Sequence, residues 1–172
     1  MVLGRLDLHS NRPMRLSLNF TLAELTHTNH RRFIAENSNP PSEVIAVLRD
    51  TAAMLQVIRD RFGPTIVTSG WRCPALNDAI GSTSRSQHIA GGAADFYCLN
   101  ERLSTVWSWI WKDSSIAFGQ LILEGSVPGA ENASWIHISV GEPYRKPEKC
   151  RQVLVYDGSR YSRVDTSEVE VV

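Results

Sequence analysis

Between Glu43 and about Phe62 the apolar residues Val44, Val47, Leu48, Leu55 and Ile58 recur at helical spacing, and the pattern stops at Gly63-Pro64. A helix of that length with a single apolar stripe needs a broad apolar surface to lie on. The residues that follow, Thr65-Ile66-Val67-Thr68-Ser69, read as a buried strand. The chain is therefore expected to lay its longest helix across a sheet. Asn39-Pro40-Pro41-Ser42 precedes that helix as a stop followed by an N-cap.

The flanking sequence fits the same plan. Thr21-Leu22-Ala23-Glu24 is a capping-box pattern that starts a short helix. Residues 70–86, rich in Gly, Ser and Asn, read as turn and short helix, and Ala93 to Tyr97 as the next strand. Asn100 is placed to cap a second helix running to about Lys112, with Leu103, Val106, Trp107 and Ile110 on its inner face. Trp107, Trp109 and Trp111 cannot all point inward on one helix, so one or two are expected to pack and an exposed one to mark a contact surface. Gln120 to Glu124 and Trp135 to Val140 read as strands separated by a loop over 125–134. From Val153 an apolar–polar alternation predicts a terminal strand or an arm. The resulting expectation is one α+β unit over 19–150, with an N-terminal arm over 1–18 and a C-terminal strand or arm over 151–172.

Composition narrows the function classes. A chain of 172 residues that is 42% hydrophobic and 21% charged can build one real core. Lys plus Arg and Asp plus Glu both number 18, so no overall field draws it to nucleic acid or an anionic membrane. The most apolar stretch, around Trp107 to Trp111, is too short to span a bilayer and runs into Lys112-Asp113. Arg5 and Asp7 interrupt the region where a signal peptide needs an apolar run, so synthesis in the cytoplasm is expected. Cys73, Cys98 and Cys150 fit neither a disulfide framework nor a CxxC metal motif, and Cys98 is read as a small packed residue. His9, His27 and His30 are read as surface or loop histidines.

The chemistry concentrates elsewhere. In Ser86-Gln87-His88-Ile89-Ala90-Gly91-Gly92-Ala93-Ala94-Asp95 an imidazole and a carboxylate are separated by small residues, and they converge if the chain turns and re-enters a strand. In Trp135-Ile136-His137-Ile138-Ser139-Val140, strand alternation puts Trp135, His137 and Ser139 on one face and the aliphatic residues on the other. His88, Asp95 and His137 together form a sufficient protein set for a zinc ion with an open fourth position.

Taken with Ser69-Gly70-Trp71-Arg72 and Leu76-Asn77, and with the opening Asn19-Phe20-Thr21-Leu22-Ala23-Glu24-Leu25, these motifs resemble the zinc D-alanyl-D-alanine carboxypeptidase family. Its wider relatives include D,D-dipeptidases, L-alanyl-D-glutamate endolysins and Hedgehog domains, and the likeness is greatest to the short phage-encoded members. It spans roughly residues 18–141. The resemblance implies a small antiparallel sheet flanked by helices, with Zn2+ held on the sheet face by His88, Asp95 and His137. It implies hydrolysis of a peptidoglycan stem-peptide bond, by D,D-carboxypeptidase or L-alanyl-D-glutamate endopeptidase action. Arg72 would grip a substrate carboxylate, with Ser86, Gln87 and Trp135 as further substrate contacts.

The general base is open between two residues. Many relatives carry an acid three positions before the last ligand, where this chain has Ser134. Phage members often carry a Glu in a Gln-Leu-Ile-x-Glu strand, which Gln120-Leu121-Ile122-Leu123-Glu124 matches, so Glu124 is the candidate and Glu131 the second choice. Action at the cell wall after release, or from a phage particle, completes the picture, with the terminal arms as candidate contacts to a virion or a second copy. The alternative is a catalytically silent, peptidase-like structural or binding protein.

Overall fold

A computed structural model describes residues 13–124 and 135–165. Helices α1 (Leu22–Leu25) and α2 (Ile34–Asn37) lead into the long helix α3 (Ser42–Phe62). Strand β1 (Thr65–Ser69), helix α4 (Pro74–Ala79) and strand β2 (Ala93–Cys98) follow. Helix α5 (Leu103–Lys112) precedes β3 (Phe118–Glu124), β4 (Trp135–Val140), β5 (Gln152–Tyr156) and β6 (Tyr161–Arg163). The six strands form one sheet in the order β1-β2-β4-β3-β5-β6. All neighbours run antiparallel except β3 and β5, which pair in parallel. The architecture is α+β, as expected. The parallel pair departs from an all-antiparallel sheet because the chain after β4 crosses back to the start of β3 through a turn and a short 3-10 helix (Pro147–Lys149) before re-entering the sheet.

Local sequence accounts for most of these elements. At α1, the Thr21 side chain accepts from the Glu24 amide while the Glu24 carboxylate accepts from the Thr21 amide. Helix α3 buries Leu48, Thr51, Ala52, Met54, Leu55 and Ile58 and ends at Gly63, whose φ of 81° is left-handed. Ser42 is its first helical residue rather than its cap, the cap position falling to Pro41. Helix α5 starts after Arg102, not Asn100: Asn100 is taken up in the turn that closes β2, where the Leu99 amide donates to the Pro64 carbonyl. All three tryptophans of α5 pack. Trp107 and Trp111 are buried and meet edge to face one helical turn apart, and Trp109 meets Phe62 edge-on at 5.2 Å.

Helix α3 packs on β1, β2 and β4, and α5 on β2, β3 and β4. Their shared core contains the alternate strand residues Ala94, Phe96, Leu121, Leu123, Ile136 and Ile138. Cys98 belongs to the same apolar cluster and is a free thiol beside Thr65. Full burial of each large aliphatic or aromatic side chain contributes on the order of 1.5–3 kcal/mol. No helix among the described residues is long and apolar enough to cross a membrane.

Candidate metal centre

The register of β2 on β4 sets Asp95 directly opposite His137. His88 reaches the same point from the turn before β2, a turn made possible by Gly91 at φ 76°. The Thr51 hydroxyl, from α3, donates to the Gly91 carbonyl and ties this turn to the core. His88 Nε2 lies 3.3 Å from His137 Nδ1 and 3.4 Å from Asp95 Oδ1, and His137 Nδ1 lies 2.8 Å from Asp95 Oδ1. All three residues are buried.

The outward atoms of each group are already committed. The Gly70 carbonyl accepts from His88 Nδ1 at 2.6 Å, which leaves the Nε2 lone pair facing inward. Gln87 Oε1 accepts from His137 Nε2 at 3.1 Å, leaving Nδ1. Arg72 Nη2 donates to Asp95 Oδ2 at 2.8 Å, leaving Oδ1. Three lone-pair donors thus face one another in a buried space, an arrangement that is repulsive without a cation between them. Ligands about 2.0–2.1 Å from a tetrahedral zinc ion stand about 3.3 Å apart, close to the two separations from His88, while the His137–Asp95 pair is tighter at 2.8 Å. The donor set fits zinc.

Electrostatics agree with an ionised ligand. Burial pushes the Asp95 carboxyl up, but positive charge at His88 and His137, where a cation would sit, outweighs burial and holds it well below the usual carboxylate range.

The loop carrying Arg72 is fixed by packing. The carbonyl oxygen of Leu25 would lie 2.2 Å from a Cβ at position 70, so only glycine lets the chain pass there. The buried Asn37 side chain donates to the Thr26 and Trp71 carbonyls and accepts from the Cys73 amide. Arg72 then reaches Asp95 through Nη2 and Ser69 Oγ through Nε.

A cleft of about 670 Å³ opens over the three ligands, and Arg72, Ser86, Gln87, Glu124 and Trp135 all line it. Glu124 sits opposite Trp135 in the β3–β4 register, diagonal to His137 and on the same face. Burial raises the Glu124 carboxyl above its ordinary value, and the Asp95 charge raises it further. His137, Arg72 and a hydrogen bond from the Trp135 side chain pull the other way. A second cavity of about 390 Å³ meets the first at Arg72, Asp95 and Trp135, and His27 and His30 line it as exposed loop residues. Glu131, Ser134 and His9 lie outside the described residues.

Gln87 is turned onto His137 and Arg72 onto Asp95, so both hold candidate ligands in place as well as lining the cleft. Sequence reasoning missed the far wall, where Arg145, Lys149, Leu154 and Tyr161 face the same cleft. Arg145, Lys146 and Lys149, just after a predicted ligand strand, were the signal available.

No curated protein matches the chain. The family model described as Peptidase M15 matches residues 18–139, a span that contains His88, Asp95, His137 and Glu124. This zinc D-alanyl-D-alanine carboxypeptidase-like family is the one the sequence motifs resemble, and the chain belongs to it.

Proposed function

We propose that the chain is a zinc-dependent peptidoglycan hydrolase that cleaves a stem-peptide bond. The observation that carries this reading is the convergence of His88, Asp95 and His137 beneath a cleft whose wall holds Glu124. In this reading the three ligands hold Zn2+, which supplies a Lewis acid for the scissile carbonyl and acidifies water to a pKa of about 7. Glu124 is the general base. Its carboxyl is raised by burial, so it both accepts a proton from the attacking water and later returns it to the leaving amine. Arg72 holds Asp95 in place and offers substrate the nitrogen, Nη1, that Ser69 and Asp95 leave over. Ser86 and Trp135 form cleft walls for the stem peptide. A phage-encoded enzyme that reaches the wall from a lysing cell or from a particle is the setting the family resemblance favours.

The test joins metal content to activity. Protein purified without chelator is expected to carry about one zinc per chain, to lower the turbidity of purified peptidoglycan, and to lose that activity with chelator. Glu124→Gln should keep the zinc while hydrolysis drops by about 10²–10⁴-fold. Activity of the unmutated chain should fall as pH is lowered through the raised Glu124 pKa, because the base must be ionised, and this limb should sit above the ordinary value of 4.5. Zinc retention without cleavage of any wall type would replace this reading with that of a silent binding protein.

A further inference from the structure

The cleft wall opposite Arg72 comes from beyond residue 139, where the family match ends. Arg145 is its most constrained member. The turn after β4 is closed by the Arg145 amide donating to the Gly141 carbonyl. Its side chain then runs back across β3 at Gly119, where a Cβ would come within 2.4 Å of Arg145 Cδ. Glycine at 119 therefore makes the slot through which this arginine reaches the cleft. The guanidinium ends beside Ser139 Oγ, 3.5 Å from Nη1, and that oxygen already accepts from the Gln120 amide at 2.9 Å.

Unlike Arg72, Arg145 forms no ion pair with a carboxylate among the described residues. It is half-buried, and burial pulls its pKa down, with Cys150 pulling the other way. Lys149 and Arg85 line the same cleft and add to the positive field. Ser139 lies two residues beyond His137 on the same face of β4, a step of about 6.6 Å. An anion held beside Ser139 therefore lies within about two residues of a carbonyl placed over the ligands.

We propose that Arg145 anchors a substrate carboxylate carried by a residue within two positions of the scissile bond. Arg72 has two of its three nitrogens engaged inside the protein, whereas Arg145 retains a planar fork for two parallel hydrogen bonds. The anchor is a specificity-determining residue, and it rests on the peptidase reading above only in taking the ligand to be a stem peptide.

The test measures binding, separately from cleavage. Titration calorimetry would use the zinc-loaded Glu124→Gln protein, so that the peptide stays intact, with and without Arg145→Met. Three synthetic stem pentapeptides serve as probes: the free acid, the form amidated at the D-glutamate α-carboxyl, and the form amidated at the C-terminus. Arg145→Met is expected to weaken binding of the free acid by about 10–100-fold. One of the two amides should reproduce that loss in the Arg145 protein and show no further loss in Arg145→Met, which also identifies the carboxylate. Equal loss on all three peptides, no loss, or no binding of the free acid overturns the anchor. Cleavage by the unmutated chain is scored independently: binding without cleavage fails the peptidase reading and leaves the anchor standing. A melting curve for each variant, and Arg145→Lys with partial retention of the acid preference, separate charge recognition from misfolding.

Discussion

Strands β2, β3 and β4 present two faces made from alternate residues of the same segments, and the two faces are stabilised in different ways. On the helix side lie Ala94, Phe96, Leu121, Leu123, Ile136 and Ile138, covered by α3 and α5. On the other side lie Asp95, Ile122, Glu124, His137 and Ser139, of which Asp95, His137 and Ser139 are as deeply buried as core residues. The first face gains from every square ångström removed from water. The polar groups of the second gain nothing from burial itself and depend on each polar atom finding a partner. Its partners are Gly70, Gln87 and Arg72 on the outside of the ligand triangle. On the inside the fit is to a cation. Burial alone thus does not distinguish a structural residue from a functional one; the chemistry of the buried atom does.

The sharpest break of this contrast is His137→Ala. It should abolish zinc binding and wall hydrolysis, and chelator should lower the melting temperature of the unmutated chain while leaving that of the variant unchanged. Ile138→Ala, one residue along the same strand, acts on the opposite face. It should cost about 2–5 kcal/mol in denaturant unfolding yet leave one zinc per folded chain. A smaller effect is expected from Gln87→Leu, which removes the acceptor for His137 Nε2–H. Zinc affinity measured by competition with a chromogenic chelator should fall about 10–100-fold, with the Ile138 face and the unfolding slope unaffected. If Ile138→Ala lost metal as readily as His137→Ala, the two faces would not be separable.

Much of the site was legible because strand alternation is a local rule. Trp135, His137 and Ser139 on one face, and Gln120, Ile122 and Glu124 on another strand's corresponding face, follow from a period of two and need no tertiary knowledge. The capping box at Thr21 and the stop at Gly63 were legible for the same reason, since each is satisfied within a turn of its own residues. Asn100 shows the limit of such rules. It has the chemistry of a cap, but the turn closing β2 uses that stretch first, and α5 begins at Leu103 without a side-chain cap, held by its buried tryptophans.

What the sequence determined by itself was the inventory: a long amphipathic helix on an α+β sheet, two imidazoles and a carboxylate with the right donors, and a glutamate on the facing strand. These are properties of periodicity and residue type, set over a few neighbouring positions. Tertiary structure alone decided the pairings. Asp95 meets His137 through β2–β4 register, Arg72 is spent partly on Asp95, and Arg145 crosses Gly119 into the cleft because β5 returns in parallel beside β3. Each of these contacts joins residues more than twenty positions apart. Their proximity comes from closing the chain around its core, a free energy shared by the whole fold and written in no single segment.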